Sequence, residues 1–491
     1  MNALITFLAL LLSVGILLIM PGEGAPALLV CAVAAGVTGV LIRRVKTDKG
    51  FLLRLFLGGL LVRILIGTII YIFNLQDFFG GDANTYDFFG YSLLKSWQGD
   101  SYYFSLVKRF IGESGAGAWG MLYMVASLYG IAGRNMLVVQ FFNAVLGAAT
   151  APIIFLCAQH IFNNLRVARL AAFLVAFYPS LVLWSAQGLK DGPIVFLIAV
   201  CVFATLKLGE KLSIKYLIVL TCSLFVLLSM RFYIFYMMVA AIGGAFVIGM
   251  RPVSARSLLR QFVVIVAIGL SLTYFGVTRY MSVQAETFGN MEVLQRSRHD
   301  MAQRAESGFG SDVDVSTVSG ALSILPTGML YLLFAPFPWQ LASVRHTITL
   351  PEMIIWWAAF PYLILGLWFT IKYRLRQVSP ILIFTSMLTL AYSLFQGNVG
   401  TAYRQRSQLL VFYFIFVAVG VVLILEKREA KRQQRQLERQ QTAKKLAAPM
   451  VRKATSSRPH VWKDEPEEDK TEKDKTQESK DKKSAGEIES T

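Results

Sequence analysis

The sequence predicts an all-α polytopic membrane protein of about twelve transmembrane helices, with interfacial helices in the loops of one face and a disordered, charged C-terminal tail. Three observations carry that prediction. Of the 491 residues, 55% are hydrophobic and only 16% charged, against roughly 25% charged in ordinary soluble domains. The apolar residues fall in runs near the roughly 20 residues that a helix needs to cross a hydrocarbon core of ~30 Å. Those runs do not alternate apolar with polar side chains, as the strands of a membrane barrel would.

Taken in order, the spans are expected at 3–20, 27–42, 51–73, 134–160, 168–186, 192–208, 215–230, 232–250, 260–277, 353–371, 379–396 and 408–425. Basic residues in the short connections set the orientation. Arg43, Arg44, Lys46 and Lys49 follow the second span, and Arg166 and Arg169 the fourth. Lys207, Lys211 and Lys215 follow the sixth, Arg251, Arg256 and Arg260 the eighth, and Lys372, Arg374 and Arg376 the tenth. With these loops inside, both termini are cytoplasmic. Trp119 to Ile131 is too short to cross and Leu322 to Trp339 is broken by Pro326, Pro336 and Pro338, so both are read as interfacial or re-entrant segments packed on protein.

This layout gives two additional N-terminal spans in 1–50, a membrane core in 51–425 and a charged tail in 426–491. The outer face receives the long loops 74–133 and 278–352, which places the active face outside a bacterial cytoplasmic membrane. The run EKREAKRQQRQLERQQTAKKL can prolong the last helix, whereas from Ala448 too few apolar residues remain to fold.

The net charge of +18 does not point to nucleic acid, because it sits in topology-setting loops and the tail. Cys31, Cys157, Cys201 and Cys222 all lie in apolar runs, which leaves no disulfide framework or zinc pattern. His160, His299, His346 and His460 are scattered, and there is no HExxH, P-loop or GxSxG. Aromatic stretches such as FAPFPW and MIIWW suit an interfacial belt among membrane lipids, or a groove for an isoprenoid chain.

The candidate chemistry gathers in the outer turns. Within FFGGDANTYDFFGY, Asp82 and Asp87 follow a glycine pair just outside a span, and a carboxylate there can take a proton from an incoming hydroxyl. Asp191, in QGLKDGP, is a second acid; it has the position of a helix N-cap as well. Together Asp82 and Asp191 are the only acids here suggesting a divalent metal ion, through oxygen ligands; no other cofactor is indicated. Lys190, Arg231, Arg404 and Arg406 supply cations that match phosphate oxygens, with Tyr233 and Tyr403 as nearby donors. Snorkelling to lipid head groups is the simpler account of the arginines. Arg63 stands near mid-span, where an ionisable group is costly and points to function unless the backbone or an acid satisfies it.

The chain resembles the GT-C glycosyltransferases, closest to the bacterial relatives of dolichyl-phosphate-mannose protein mannosyltransferases and lipid A aminoarabinose transferases. Asp82–Ala–Asn–Thr–Tyr86 is similar to their outer-loop acid motif, Leu189–Lys–Asp191–Gly–Pro193 to their second acidic turn, and Tyr403–Arg404 to a late Tyr-Arg element. Two spans before the acidic loop depart from the family pattern, and the large folded outer domain of some members is missing. The resemblance implies a polyprenyl-phosphate or polyprenyl-diphosphate sugar donor and a glycan, lipid or protein acceptor. It implies Asp82 as general base, Asp191 placing the acceptor or a metal, Arg231, Arg404 and Lys190 stabilising the departing lipid phosphate, and Tyr86 and Asp87 as further substrate-binding residues. A polysaccharide polymerase or ligase acting on lipid-diphosphate glycans, or a lipid-linked sugar flippase, are the alternatives that the same residues leave open.

Overall fold

Caps and helix breakers divide the chain much as its apolar runs do. The computed structural model describes residues 3–79, 81–113, 119–249, 255–274, 291–303, 308–310, 313–339 and 344–455. Among the described residues there is no strand, only an isolated bridge between Gly308 and Asn398. The chain forms two units, Met1–Lys427 and Arg428–Thr491.

The helices are α1 (Ala3–Ile19), α2 (Pro21–Arg43), α3 (Lys49–Ile72), α4 (Asp82–Trp97), α5 (Ser101–Glu113) and α6 (Trp119–Ala132). They continue with α7 (Met136–Phe162), α8 (Leu165–Phe177), α9 (Pro179–Ser185), α10 (Asp191–Glu210), α11 (Ile214–Met230) and α12 (Phe232–Ile248). Then come α13 (Ala255–Tyr274), α14 (Met291–Gln303), α15 (Val318–Phe334), α16 (Val344–Phe395) and α17 (Val399–Thr455).

Among the described residues, six helices are long and apolar enough to cross a membrane, seven if the bent pair α8 and α9 counts as one span. Every one of the twelve expected segments carries a helix, but several differ from the pattern of separate full-length spans. α1, α11 and α12 have only 17 residues each. The segments 353–371 and 379–396 fall on either side of a break in α16 at Arg374, whose φ of −134° and ψ of 15° are not helical, so the range holds two helices joined at a kink. The basic residues expected in a short loop stand at that break. α17 continues to Thr455, past Ala448, where composition predicts that structure ends. Residues 456–491, with His460, lie outside the described residues, as do 275–290, 304–307, 311–312 and 340–343 of the second long loop.

α7 is the hub. α2, α3, α8 and α10 all pack on it, and 78% of its most apolar window is buried, against 17% for the peripheral α2. A helix apolar all round is expected inside a bundle. Asn135 caps its N-terminus by accepting from Leu137 N at 3.0 Å, and Asn163 ends it in the left-handed conformation. Asn164 then caps α8, accepting from the backbone N–H groups of Arg166 and Val167.

Pro179 breaks the span expected at 168–186 into α8 and α9, bent by 53°. Proline disfavours the helical conformation in the residue before it and has no N–H to donate, and Tyr178 is accordingly extended. The carbonyls freed at this bend are met by Arg63, which donates to Ala176 O at 2.7 Å and to Val175 O at 3.5 Å. Its Nε donates to Ser185 Oγ at 2.8 Å and its Nη1 to Gly59 O at 3.0 Å. Arg63 is thus a backbone brace for the bend, which corrects its reading as a substrate contact.

Ser185 is clasped closely enough that glycine is required across from it. A Cβ on Gly147 of α7 would stand 2.4 Å from both Ser185 Cβ and Oγ. Gly147→Ala should therefore cost about 1–3 kcal/mol of stability, as overpacking does. A thermal midpoint in detergent equal to that of wild type would show that α7 and α9 are not so closely held.

Candidate active site

Three helix beginnings and one helix break bring the charged residues together. The stretch read as an acidic loop is helical from Asp82 onward. Gly81, at φ +68°, makes the turn into α4 in the left-handed region that glycine enters freely. Asp82 therefore occupies the first turn of α4, where a carboxylate is favoured by the helix dipole. Asp191 is the first residue of α10, and the N-cap position falls to Lys190 and not to the acid. The turn before it is held from α7, where Asn143 Nδ2 donates to Gln187 O and Leu189 O, both at 2.8 Å. Arg231 is the extended residue between α11 and α12, and Arg404 lies near the start of α17.

Arg404 joins the two acids. Its Nη1 donates to Asp82 Oδ2 at 2.6 Å and its Nε to Asp191 Oδ2 at 2.7 Å. Its Nη2 also lies 2.6 Å from Asp191 Oδ2, but off the direction of a hydrogen bond, so that donor is unused. Arg231 Nη2 approaches Asp191 Oδ1 at 3.6 Å, an ion pair beyond hydrogen-bond length, and Arg231 Nη1 has no acceptor. The two acids differ sharply in access: the Asp191 side chain is 1% exposed and that of Asp82 is 47% exposed. One carboxylate is a buried counter-charge; the other opens outward.

Aromatic rings line the cluster. Arg404 sits 5.7 Å from the Trp184 ring centre, Arg231 5.7 Å from Tyr233, and Lys190 5.9 Å from Tyr86. Burial, and next the neighbouring Arg231, push the Lys190 ammonium down to about 8. Burial and then the Asp82 charge push the Tyr86 hydroxyl up, so it remains protonated at neutral pH. Behind Asp191 a cavity of about 10 Å³, room for about one water, is bounded by Arg63, Trp184, Ser185 and Ser407.

Residues 118–278, from the start of α6 to beyond α13, match the family model described as dolichyl-phosphate-mannose-protein mannosyltransferase. The match takes in residues 118–278 of 491, a likeness to that family over that stretch. Among solved structures, this chain aligns with the archaeal oligosaccharyltransferase AglB from Archaeoglobus fulgidus, determined with an inhibitory peptide and a dolichol-phosphate. The identity is 11% and the TM-score 0.39, over 65% of this chain and 43% of that one. The apo form of the A. fulgidus oligosaccharyltransferase gives 14% and 0.39, over 65% and 44% of the respective chains. Its complex with Zn and sulfate gives 13% and 0.38, over 64% and 41%. The chain spans less than half the length of those enzymes. No curated protein matches it.

The cluster holds five of the residues singled out by sequence, Asp82, Lys190, Asp191, Arg231 and Arg404, with Tyr86 and Tyr233 against its cations. Three others are engaged elsewhere. Asp87 accepts from Tyr129 Oη and Arg134 Nη2, each at 2.5 Å, and ties α4 to α6 and the α6–α7 turn. Arg406 donates to Leu333 O at 2.9 Å and Ala335 O at 2.8 Å, holding the end of α15. Tyr403 donates to Glu352 Oε2 at 2.6 Å. Glu352 and Trp184 escaped sequence reasoning. Glu352 was findable, as a lone acid opening an apolar run in LPEMIIWW, by the same rule that flagged Arg63.

A divalent ion does not fit these residues. Among the described residues no group of three or more His, Cys, Asp or Glu side chains stands together. The two acids proposed as ligands share an arginine, whose guanidinium already stands between them as their cation.

Proposed function

We propose that this protein moves a sugar from a polyprenyl-phosphate or polyprenyl-diphosphate donor to an acceptor hydroxyl, with the core 51–425 as the catalytic part and the outer face of a bacterial inner membrane as the place. The observation that carries the proposal is the pairing of an open carboxylate, Asp82, with two arginines that still have unused, buried N–H donors, Arg404 Nη2 and Arg231 Nη1. Buried donors without acceptors are costly, and a phosphate oxygen satisfies them. The family match of residues 118–278 supports the same chemistry.

In this reading the acceptor oxygen attacks the anomeric carbon as its proton passes to Asp82. The bond from that carbon to the phosphate oxygen breaks, and the electron pair leaves with the lipid phosphate. Arg404, Arg231 and Lys190 stabilise the charge that grows on the departing oxygen. Attack from the face opposite the phosphate inverts the anomeric centre. Asp191, buried beneath the arginines, holds them in place and does not meet substrate. The acceptor is a glycan, lipid or protein hydroxyl. Arg63 no longer supports a flippase, because its donors are taken by the α8–α9 bend.

The test is a transfer assay in proteoliposomes with polyprenyl-phosphate sugars, reading released polyprenyl phosphate from wild type and Arg404→Ala. Release by wild type alone is expected; equal release by both would remove the arginine from the reaction. Protonation of Lys190 adds a pH signature. The ammonium is present below about 8 and lost above it, so affinity for polyprenyl phosphate should weaken as pH rises through about 8. Lys190→Arg, charged throughout, should bind without that decline. A flat profile in wild type would take Lys190 out of the donor site.

A further inference from the structure

Arg404 faces a conflict between its partners and its proposed ligand. Its Nε edge is turned to Asp191 and its Nη1 to Asp82, which leaves no free face for the two-pronged grip by which arginine holds phosphate. One partner has to yield. Asp191 is 1% exposed and has Arg231 as a second counter-ion, whereas Asp82 is 47% exposed and its contact is a single hydrogen bond near solvent. Ion pairs of the exposed kind contribute little, so the Asp82 side is the one that opens.

Charge balance points the same way. Two carboxylates, Asp82 and Asp191, stand among three cations, Lys190, Arg231 and Arg404, one positive charge in excess while Lys190 is protonated. A phosphodiester anion cancels that excess, and its oxygens repel an Asp82 carboxylate left on the same guanidinium.

We infer that Arg404 is a donor-operated latch on Asp82: the lipid phosphate takes the guanidinium from Asp82, and the carboxylate becomes free for the acceptor only once the donor is in place. This rests on the reading of the site as one for a lipid phosphate. It makes the reaction ordered, donor before acceptor, and keeps the base charge-paired, and so weaker as a proton acceptor, in the resting enzyme. Because coupling between sites is reciprocal, whatever Asp82 takes from phosphate binding is returned when Asp82 is neutral.

The experiment is titration of the full-length protein in zwitterionic-lipid nanodiscs with a polyprenyl phosphate. Asp82→Asn should bind on the order of tenfold more tightly than wild type, within the usual span of coupling energies, and Arg404→Ala should lose saturable binding. Asp82→Ser, which removes the charge and the reach together, should tighten binding as well and serves if the asparagine variant does not fold. Affinity unchanged or weakened in the Asp82 variants, with binding still lost in Arg404→Ala, overturns the latch and leaves the phosphate reading standing. Wild-type affinity in Arg404→Ala overturns both. Inorganic phosphate, and nanodiscs containing phosphatidylglycerol, separate the sources of the anion. Tightening shared by inorganic phosphate supports the latch as a response to phosphate alone, and competition by phosphatidylglycerol equal to that by the polyprenyl lipid overturns the assignment of the latch to the donor.

Discussion

Asp82→Asn is expected to lower turnover by about 10²–10⁴-fold, the usual contribution of a positioned general base. The amide keeps the shape of the carboxylate but cannot take the acceptor's proton. The change should fall on kcat, with KM for the donor equal to or below that of wild type, because the amide no longer competes for Arg404. A loss in kcat alone marks an interaction made only in the transition state. Full turnover by the purified variant would mean that Asp82 is not the base.

Arg404→Lys should be nearly as damaging, about 10²–10³-fold in kcat, the magnitude seen when one preorganised donor is removed from a developing negative charge. An ammonium is a point charge without the planar fork, so it cannot reproduce the contacts to Asp82 and Asp191 and also meet a phosphate. Part of any loss comes from stability. Asp191 is buried, and a buried charge stripped of its partner costs roughly 3–5 kcal/mol, reduced here because Arg231 remains at 3.6 Å. Arg404→Ala combined with Asp191→Asn separates the two effects. The pair should regain much of the thermal midpoint lost by Arg404→Ala and none of the turnover. Recovery of turnover with the midpoint would reduce Arg404 to a structural role.

The charged residues of the site were legible because each interrupts apolar sequence at the end of a run, where a polar group has to be explained. Their partnerships were not. Asp87 looks like Asp82 in sequence, and only the fold shows that Tyr129 and Arg134, more than 40 residues away, have claimed it. Arg63 stood out as expensive, yet the bend it braces is made by Pro179, in a segment whose hydropathy reads as one span. Arg406 and Arg404 are two residues apart, and helical geometry sends them to different neighbours. Hydropathy and the basic stretch do locate the break inside α16, where Arg374 leaves the helical conformation. Short-range pattern gave the helices; long-range pairing leaves no local trace.

The Asp87 anchor sets a clock for donor capture. With Tyr129 and Arg134 gripping α4 five residues beyond Asp82, and Gly90 packed where any Cβ would strike Val125, the post that carries the base has nowhere to travel. The exchange at Asp82 then falls to a side chain. Rotamer changes of accessible side chains take picoseconds to nanoseconds, whereas hinge and lid motions take microseconds to milliseconds. On the proposed mechanism, uncovering Asp82 by this route is far faster than a turnover of about 1–10³ s⁻¹, which leaves the pace to chemistry or to the departure of the lipid.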